Sequence, residues 1–219
     1  MARQRNEEER KILYQNAAKL FSENGYRGTK INDIARASGV DKTLVQYYYP
    51  KKDRFIERML NNMLNGIRDA AEEAGLHSDD PMVMLYYVGY AHFDFLLHDP
   101  QMKRITADIM ADRTLTGILI DTELRWVKER FPDAGSPEAL EAGVAIAMGG
   151  AYELMYRYLA QARPIDIKKL TDSTMVTIMA QMAGPSGEAE RILAEVRPTP
   201  EIAREITEGL GRRILEETE

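Results

Sequence analysis

Apolar side chains recur three and four positions apart along almost the whole of this 219-residue chain. A helix turns once every 3.6 residues, so this spacing places them on one helical face, whereas a half-buried strand would alternate apolar and polar residues. Alternating runs of Val, Ile and Thr do not occur. The sequence therefore predicts an all-α protein whose helices bury their apolar faces against one another.

Glycine, proline and cap residues divide the first 74 residues into four predicted helices. The predicted breaks and caps, in chain order, are Gly25, Thr29, Gly39, Asp41 and Pro50. The third helix is then only about seven residues long, because a proline cannot continue it. The fourth begins directly after this proline and extends to about residue 74.

Three predicted helices within 50 residues, the last of them short, form the arrangement of a three-helix DNA-binding unit. We expect residues 1–50 to form this helix-turn-helix domain, and the fourth helix, about 51–74, to connect it to a larger helical body that spans 51–219. Residues 185–219 are a C-terminal extension of that body. The predicted body helices are 81–98, 100–111, 113–131, 137–162 and 167–182.

The charges are distributed unevenly. Residues 1–60 hold 13 Lys and Arg against 8 Asp and Glu, a net charge of +5, and the rest holds 16 against 27, a net charge of −11. This asymmetry favours contact between the first 60 residues and a polyanion, although chance unevenness explains it as well. Cys is absent and no apolar run approaches the ~20 residues of a membrane span, so we expect a cytoplasmic protein without a membrane partner.

Three consecutive tyrosines end the third predicted helix. Side chains there fan out over roughly 200°, so they cannot all face a core. On a helical wheel Val45 and Tyr49 share the side that would face the other two helices, while Thr43 and Tyr47 lie opposite. Tyr47 is therefore predicted to face outward, where a hydroxyl reaches phosphate oxygens and a ring packs against thymine methyl groups. Solvated tyrosines on a plain three-helix core are the alternative.

The stretch GYRGTKINDIARASGVDKTLVQYYYPKKDRF resembles the N-terminal domain of the tetracycline-repressor (TetR) family of bacterial regulators, over about residues 7–58. The resemblance implies these DNA-facing positions: Thr29, Asn32, Lys42, Thr43, Gln46, Tyr47, Tyr48 and Lys52. Two residues depart from the family pattern. Leu44 stands where members usually carry Thr or Ser, and Gln46 where they usually carry Tyr, so an operator sequence cannot be transferred from relatives.

The helix predicted for residues 81–98 is rich in aromatic residues. Aromatic and Met side chains with a few polar groups describe a small-molecule pocket, but they fill ordinary cores as well. The family resemblance implies a pocket for a hydrophobic effector in the body. The candidate lining residues are Tyr86, Tyr90, Phe93 and Trp126.

Small residues line one face of the helix predicted for 137–162, and apolar residues follow on the next helix. Family members resemble this chain in pairing their last two long helices with those of a twin subunit. The candidate dimer residues are Ala139, Gly143, Ala147, Gly150, Met175, Ile178, Met179 and Met182. Packing within a single chain is the alternative, because small residues let any helix approach closely.

The sequence thus predicts a homodimeric regulator, most simply a repressor that a small hydrophobic ligand releases from a palindromic double-stranded operator. No catalytic residue, metal ligand or cofactor motif is expected, since the HExxH, P-loop and Glu-x-x-His patterns are missing. An adaptor protein that has lost specific DNA binding is the main alternative, and a helical enzyme is a remote one.

Overall fold

The structure is a computed structural model, and it describes residues 2–76, 78, 80–131, 136–181, 186–208 and 210. Those residues form helices joined by short connections, without a strand among them, which confirms the all-α prediction. In chain order the helices are α1 Ala2–Gly28, α2 Ile31–Ala37, α3 Lys42–Tyr48, α4 Asp53–Glu73, α5 Pro81–His98, α6 Pro100–Met110, α7 Arg113–Arg130, α8 Pro137–Ala160, α9 Ile167–Gln181, α10 Ser186–Glu195 and α11 Pro200–Thr207.

The body helices begin where local cap chemistry places them. Asp80, Asp99 and Asp112 each accept hydrogen bonds from backbone N–H groups in the first turn of α5, α6 and α7. Ser136 does the same for α8. Such side chains satisfy amide groups that the helix itself leaves unpaired. All predicted body helices from 81 to 182 are therefore found, with ends within two residues of those expected.

The first three helices pack around a core that includes the start of α4. Val45 and Tyr49 are buried in it as predicted, and the Tyr49 ring stacks on Phe55 with ring centroids 3.8 Å apart. We call residues 2–52 the head and the helices from α4 onward the body. The long helix α4 leads directly from one to the other.

A glycine break in α1 allows the head to dock on α6. Gly25 has φ 77°, which interrupts the helical path where the sequence predicted a helix end. A Cβ atom at this position would lie 2.6 Å from Oδ2 of Asp108, and that same oxygen accepts a hydrogen bond from the Arg27 backbone at 3.0 Å. Both the positive φ and the close approach therefore require a residue without a side chain.

The prediction that Thr29 caps α2 is wrong. The side chain of Thr29 is 1% exposed, and its hydroxyl faces the Gly25 and Leu20 carbonyls at 2.9 and 3.1 Å. These carbonyls belong to the last turns of α1, where the chain changes direction at Gly25. The residue at the cap of α2 is Lys30, whose backbone N–H donates to the Asp33 side chain at 2.9 Å.

The small residues of α8 serve packing within the chain, which corrects part of the dimer prediction. A Cβ atom on Gly143 would lie 3.0 Å from the backbone oxygen of Ile178, so the missing side chain lets α9 approach α8. Ala147 is also buried. On α9 the predicted dimer residues Met175, Ile178 and Met179 are buried in the same chain, whereas Met182 lies outside the described residues.

The C-terminal extension packs on the body, because α11 contacts α4 and α5 and buries Ala203 and Ile206. Leu210 approaches α4 so closely that a Cβ on Gly66 would lie 2.6 Å from it. The extension thus lies against the helix that joins head and body. Among the described helices, none combines the length and the apolar character that crossing a membrane requires.

Candidate nucleic-acid interface and interior cavity

The outward face of α3 carries the side chains that the sequence predicted to face solvent. Tyr47 is 72% exposed, and Lys42, Thr43 and Gln46 are also exposed. The opposite side of this helix is fixed by Val45, which is fully buried. A seven-residue helix therefore presents an amine, a hydroxyl, an amide and an aromatic ring together on one surface.

The N-terminus of α3 is held by its own cap. Oδ1 of Asp41 accepts hydrogen bonds from the backbone N–H groups of Leu44 and Thr43, at 3.1 and 2.7 Å. These bonds hold the pKa of the Asp41 carboxyl below its usual range. The cap is thus ionised at neutral pH and fixes the start of the helix, so the direction of the exposed side chains is set locally.

Helix α2 adds further exposed polar groups to the head. Asn32 is exposed as predicted. Lys30 and Arg36 are exposed too, and the Arg36 side chain is 82% accessible beside a half-buried Asp33. The sequence reasoning did not select these two cations. Their position on the polar side of a short amphipathic helix would have identified them.

Three of the residues predicted to face DNA make hydrogen bonds within the head. The Lys52 ammonium donates to the Tyr26 and Thr29 carbonyls at 2.7 and 2.9 Å and lies over the Tyr26 ring. Its partial burial lowers the pKa of the Lys52 amine. The Tyr48 hydroxyl donates to Glu9 at 2.8 Å, and the Thr29 hydroxyl faces α1 as described above. These contacts turn the three polar groups inward, so the predicted surface is reduced to the residues that remain exposed.

A cavity of about 60 Å³ lies in the body between α4, α5, α7, α8 and α9. Of the predicted lining residues, Phe93 and Trp126 contact it. Tyr86 does not line it, because its hydroxyl donates to Asp172 of α9 at 2.6 Å. Tyr90 lines a separate surface groove beside Asp94 and Arg204. The pocket prediction was therefore wrong for these two tyrosines, which lie on other sides of α5.

The cavity wall is apolar apart from Thr171, Thr174, His92 and Glu123, and the last two form a buried trio with Tyr152 behind the wall. Oε1 of Glu123 accepts a short hydrogen bond from the Tyr152 hydroxyl and lies 3.2 Å from Nε2 of His92. Nε2 of His92 also lies 3.3 Å from the Tyr152 hydroxyl. Burial and the Glu123 carboxylate raise the pKa of Tyr152, so its phenol stays protonated and donates. The trio is 2 to 5% exposed.

Two atoms of this trio lack hydrogen-bond partners. They are Nδ1 of His92 and Oε2 of Glu123, which are buried without a partner among the described residues. Buried polar atoms are paired in the great majority of cases, because an unpaired one loses its hydration without replacement. The sequence reasoning missed the trio, since its members come from three helices. A histidine on an otherwise apolar helix was the available signal.

One wall residue connects the cavity to α4. The indole Nε1 of Trp126 donates to Oδ1 of Asn65 at 2.9 Å, and Arg130 donates to the same oxygen at 3.2 Å. Asn65 lies in α4, which continues from the head. The Trp126 ring is thus linked to the connecting helix by a direct hydrogen bond.

Residues 13–59 match the model of a family described as bacterial regulatory proteins, tetR family. This segment of the chain is therefore similar to the TetR family. The matched segment contains the complete α2–α3 surface and the first turns of α4. Family and relatives are transcriptional regulators and not enzymes.

The curated relatives match this chain over limited segments. The biofilm operon icaADBC negative transcriptional regulator IcaR of Staphylococcus epidermidis is 34% identical over 53 residues, 24% of this chain and 29% of the relative. The probable transcriptional regulator YttP of Bacillus subtilis is 21% identical over 108 residues, 49% of this chain and 52% of the relative. The matches thus span between about a quarter and about half of these relatives.

Solved structures extend the likeness of fold to the body. The crystal structure of RolR in complex with resorcinol has a TM-score of 0.57 at 15% sequence identity, covering 90% of this chain and 98% of that one. RolR without ligand gives a TM-score of 0.54. At this identity the likeness concerns the arrangement of helices alone, so head and body together share the fold of RolR.

The side of α8 and α9 that is turned away from the core carries exposed apolar side chains. Ile146, Leu154 and Val176 are 54, 38 and 41% exposed. Gly150 is exposed as well, and a Cβ on it would meet nothing within 4 Å, whereas Ala139 is half-buried. We call the surface formed by these four exposed residues the outer face. Sequence reasoning selected only Gly150 from it.

Proposed function

We propose that this protein is a homodimeric transcriptional repressor that binds a palindromic operator and is released from it by a small hydrophobic ligand. The observation that carries the proposal is the outward face of α3, on which Tyr47 is 72% exposed beside Lys42, Thr43 and Gln46. An exposed ring beside an amine, a hydroxyl and an amide on one short helix supplies the kinds of group that contact base edges and phosphates. Because its proposed partner is DNA, the protein acts in the cytoplasm.

The chemistry of this face suits a major groove. Gln46 can pair with an adenine edge, the Tyr47 ring with thymine methyl groups, and Lys42 and Thr43 with phosphate oxygens. Lys30 and Arg36 on α2 add positive charge to the same domain. The head then supplies both the electrostatic attraction and the groups that distinguish one base pair from another.

A twin subunit would supply the second head. Isolated large apolar side chains are common on protein surfaces, but the outer face places Ile146, Leu154 and Val176 on two adjoining helices. Gly150 between them offers room for the backbone of a partner helix. Two heads joined in this way bind half-sites whose centres are about 34–36 Å apart, one turn of the duplex.

The position of the cavity supports a mechanism by which a bound ligand releases the protein from DNA. A ligand beside Trp126 displaces the indole, and its hydrogen bond to Asn65 passes the movement to α4. Tilting α4 in each subunit changes the distance between the heads. The ligand must bind the released state more tightly than the DNA-bound state, and couplings of about 1–3 kcal/mol are typical.

Capture of genomic fragments, followed by gel shift at increasing salt, tests the proposal. We expect specific binding that weakens steeply with salt, because each phosphate contact releases a counterion. Lys42→Ala should weaken binding and lower the salt dependence by about one unit of slope. The matched control is Lys103→Ala on the exposed surface of α6 in the body, which should bind like the wild type.

Two results would contradict the proposal. Absence of binding to any fragment at low salt favours an adaptor protein that does not read DNA. Equal effects of Lys42→Ala and Lys103→Ala would mean that general charge, and not the face of α3, holds the duplex. A monomeric mass in sedimentation, at concentrations where DNA is bound, would show that the protein does not need to dimerise to bind DNA.

A further inference from the structure

The unpaired atoms in the cavity constrain the ligand that it accepts. Nδ1 of His92 and Oε2 of Glu123 both belong to side chains that line the cavity and are at most 5% exposed. The remaining lining is apolar apart from Thr171 and Thr174. The hydroxyls of these two threonines donate to the carbonyls of Ile167 and Leu170, each at 2.8 Å, so they have no hydrogen left to donate.

From this arrangement we propose that the cavity binds a compact, uncharged and mostly apolar molecule whose single hydroxyl donates to Oε2 of Glu123 and lies beside Nδ1 of His92. This deepens the proposed function, since it names the chemical class of the effector.

The carboxylate of Glu123 requires a hydrogen-bond donor on the ligand. Oε1 of Glu123 already accepts from Tyr152 and faces Nε2 of His92, whereas Oε2 has no partner among the described residues. A carboxylate oxygen accepts hydrogen bonds, as Oε1 does from Tyr152, so the partner that suits Oε2 is a donor. A ligand hydroxyl that donates its one hydrogen to Oε2 keeps lone pairs on its oxygen, and these suit the tautomer of His92 that carries a hydrogen on Nδ1.

A single neutral donor fits better than a cation. An ammonium group brings three N–H donors, and a buried donor without an acceptor costs free energy. Oε2 of Glu123 is the one carboxylate oxygen in the cavity that lacks a partner among the described residues. The Tyr152 hydroxyl already donates a hydrogen bond to this carboxylate. A hydroxyl uses the available acceptor and leaves no donor unpaired.

The size of the cavity limits the size of the apolar part of the ligand. A volume of about 60 Å³ corresponds to roughly four to six water-sized spheres. Met148 and Met175 form part of the wall. Their unbranched side chains change rotamer readily, so the wall can yield to a six-membered ring. The ligand class is therefore a small alcohol or phenol.

Three small aromatic probes test this inference: phenol and toluene, which have nearly the same shape, and benzylammonium, which is one heavy atom larger. Trp126 is the only tryptophan in the chain and lines the cavity, so its fluorescence reports binding directly. We expect phenol to bind at least tenfold more tightly than toluene, because toluene leaves Oε2 and Nδ1 unpaired. Benzylammonium should bind more weakly than phenol.

The variant Glu123→Gln tests the role of the carboxylate. Its amide oxygen can take the Tyr152 hydrogen bond, which places the NH₂ group where Oε2 was. The preference for phenol over toluene should then fall by about tenfold or more. The control is Glu129→Gln, the same change on the exposed side of α7, which should keep the preference of the wild type.

The inference is overturned by equal affinity for phenol and toluene, by tighter binding of benzylammonium, or by the lack of any response of Trp126. The probe series on the wild-type protein decides between these results even if Glu123→Gln does not fold. DNA binding is measured on the same preparations without a probe. If DNA binding persists while no probe binds, the ligand class is wrong and the DNA-binding proposal stands.

Discussion

Tyr47 in the head and Tyr152 in the body point in opposite directions. In the head, Tyr47 extends into solvent and is held there by the buried neighbours Val45 and Tyr49. In the body, Tyr152 is buried and its hydroxyl points to Glu123. The difference shows that an outward group is fixed by one short helix, whereas an inward one depends on several helices together. The two regions therefore differ in what a substitution damages.

The neighbouring tyrosines of the head give the sharpest separation. Tyr49→Ala should lower the free energy of unfolding by about 3–5 kcal/mol, because Tyr49 is 2% exposed and stacks on Phe55. Tyr47→Ala should change it by less than about 0.5 kcal/mol. Chemical denaturation followed by circular dichroism measures both. Similar losses in the two variants would show that the ring of Tyr47 supports the fold.

Two glycines of α8 make a comparable pair in the body. Gly143→Leu should lower the free energy of unfolding by about 1–3 kcal/mol, since its Cβ would lie 3.0 Å from the Ile178 backbone oxygen. Gly150→Leu meets no atom within 4 Å and gains about 0.5–1 kcal/mol of helix propensity. It should leave the fold intact and weaken self-association, as sedimentation at several concentrations would show. If Gly150→Leu still formed a stable dimer, the dimer interface would have to lie elsewhere on the protein.

The smallest expected effect concerns Glu57, at the boundary between head and body. Burial raises the pKa of its carboxyl, but hydrogen bonds from Arg125 and Arg54, at 2.8 and 2.6 Å, outweigh burial and lower it. The folded pKa thus lies below the unfolded value of about 4.3, so the contribution is present above that pH and is lost as pH falls through the folded pKa.

We therefore expect Glu57→Gln to cost about 1 kcal/mol or less at pH 7 and nothing at pH values below the folded pKa. Urea denaturation of both proteins across this pH range measures the difference. Glu129→Gln, an exposed position of α7, serves as the control. A difference that grows at low pH would mean that Glu57 is destabilising when ionised.

The helices were predictable from the sequence because their signals are local. Asp80, Asp99 and Asp112 cap helices within their own first turns, and the outward direction of Tyr47 follows from three bulky residues in succession. The inward turn of Thr29 was not predictable. It depends on the carbonyl groups of Leu20 and Gly25, and only the folded path of α1 brings them within reach of the hydroxyl.

The body was predictable in outline and not in detail. Periodicity groups Gly143 and Gly150 on one side of α8, but it does not say that α9 covers the first and leaves the second open. The trio of His92, Glu123 and Tyr152 joins residues 29 to 60 positions apart. Only packing assembles such a group, so a single sequence carries no local trace of it.

The most direct test of the central claim is the affinity of Tyr47→Ala for a DNA fragment captured by the wild-type protein. The account predicts a loss of at least about tenfold, equivalent to 1.4 kcal/mol, with helix content and sedimentation unchanged. Tyr47→Phe should retain the part of the affinity that the ring provides. Wild-type affinity of Tyr47→Ala for that fragment would contradict the account, because the exposed face of α3 would then take no part in binding DNA.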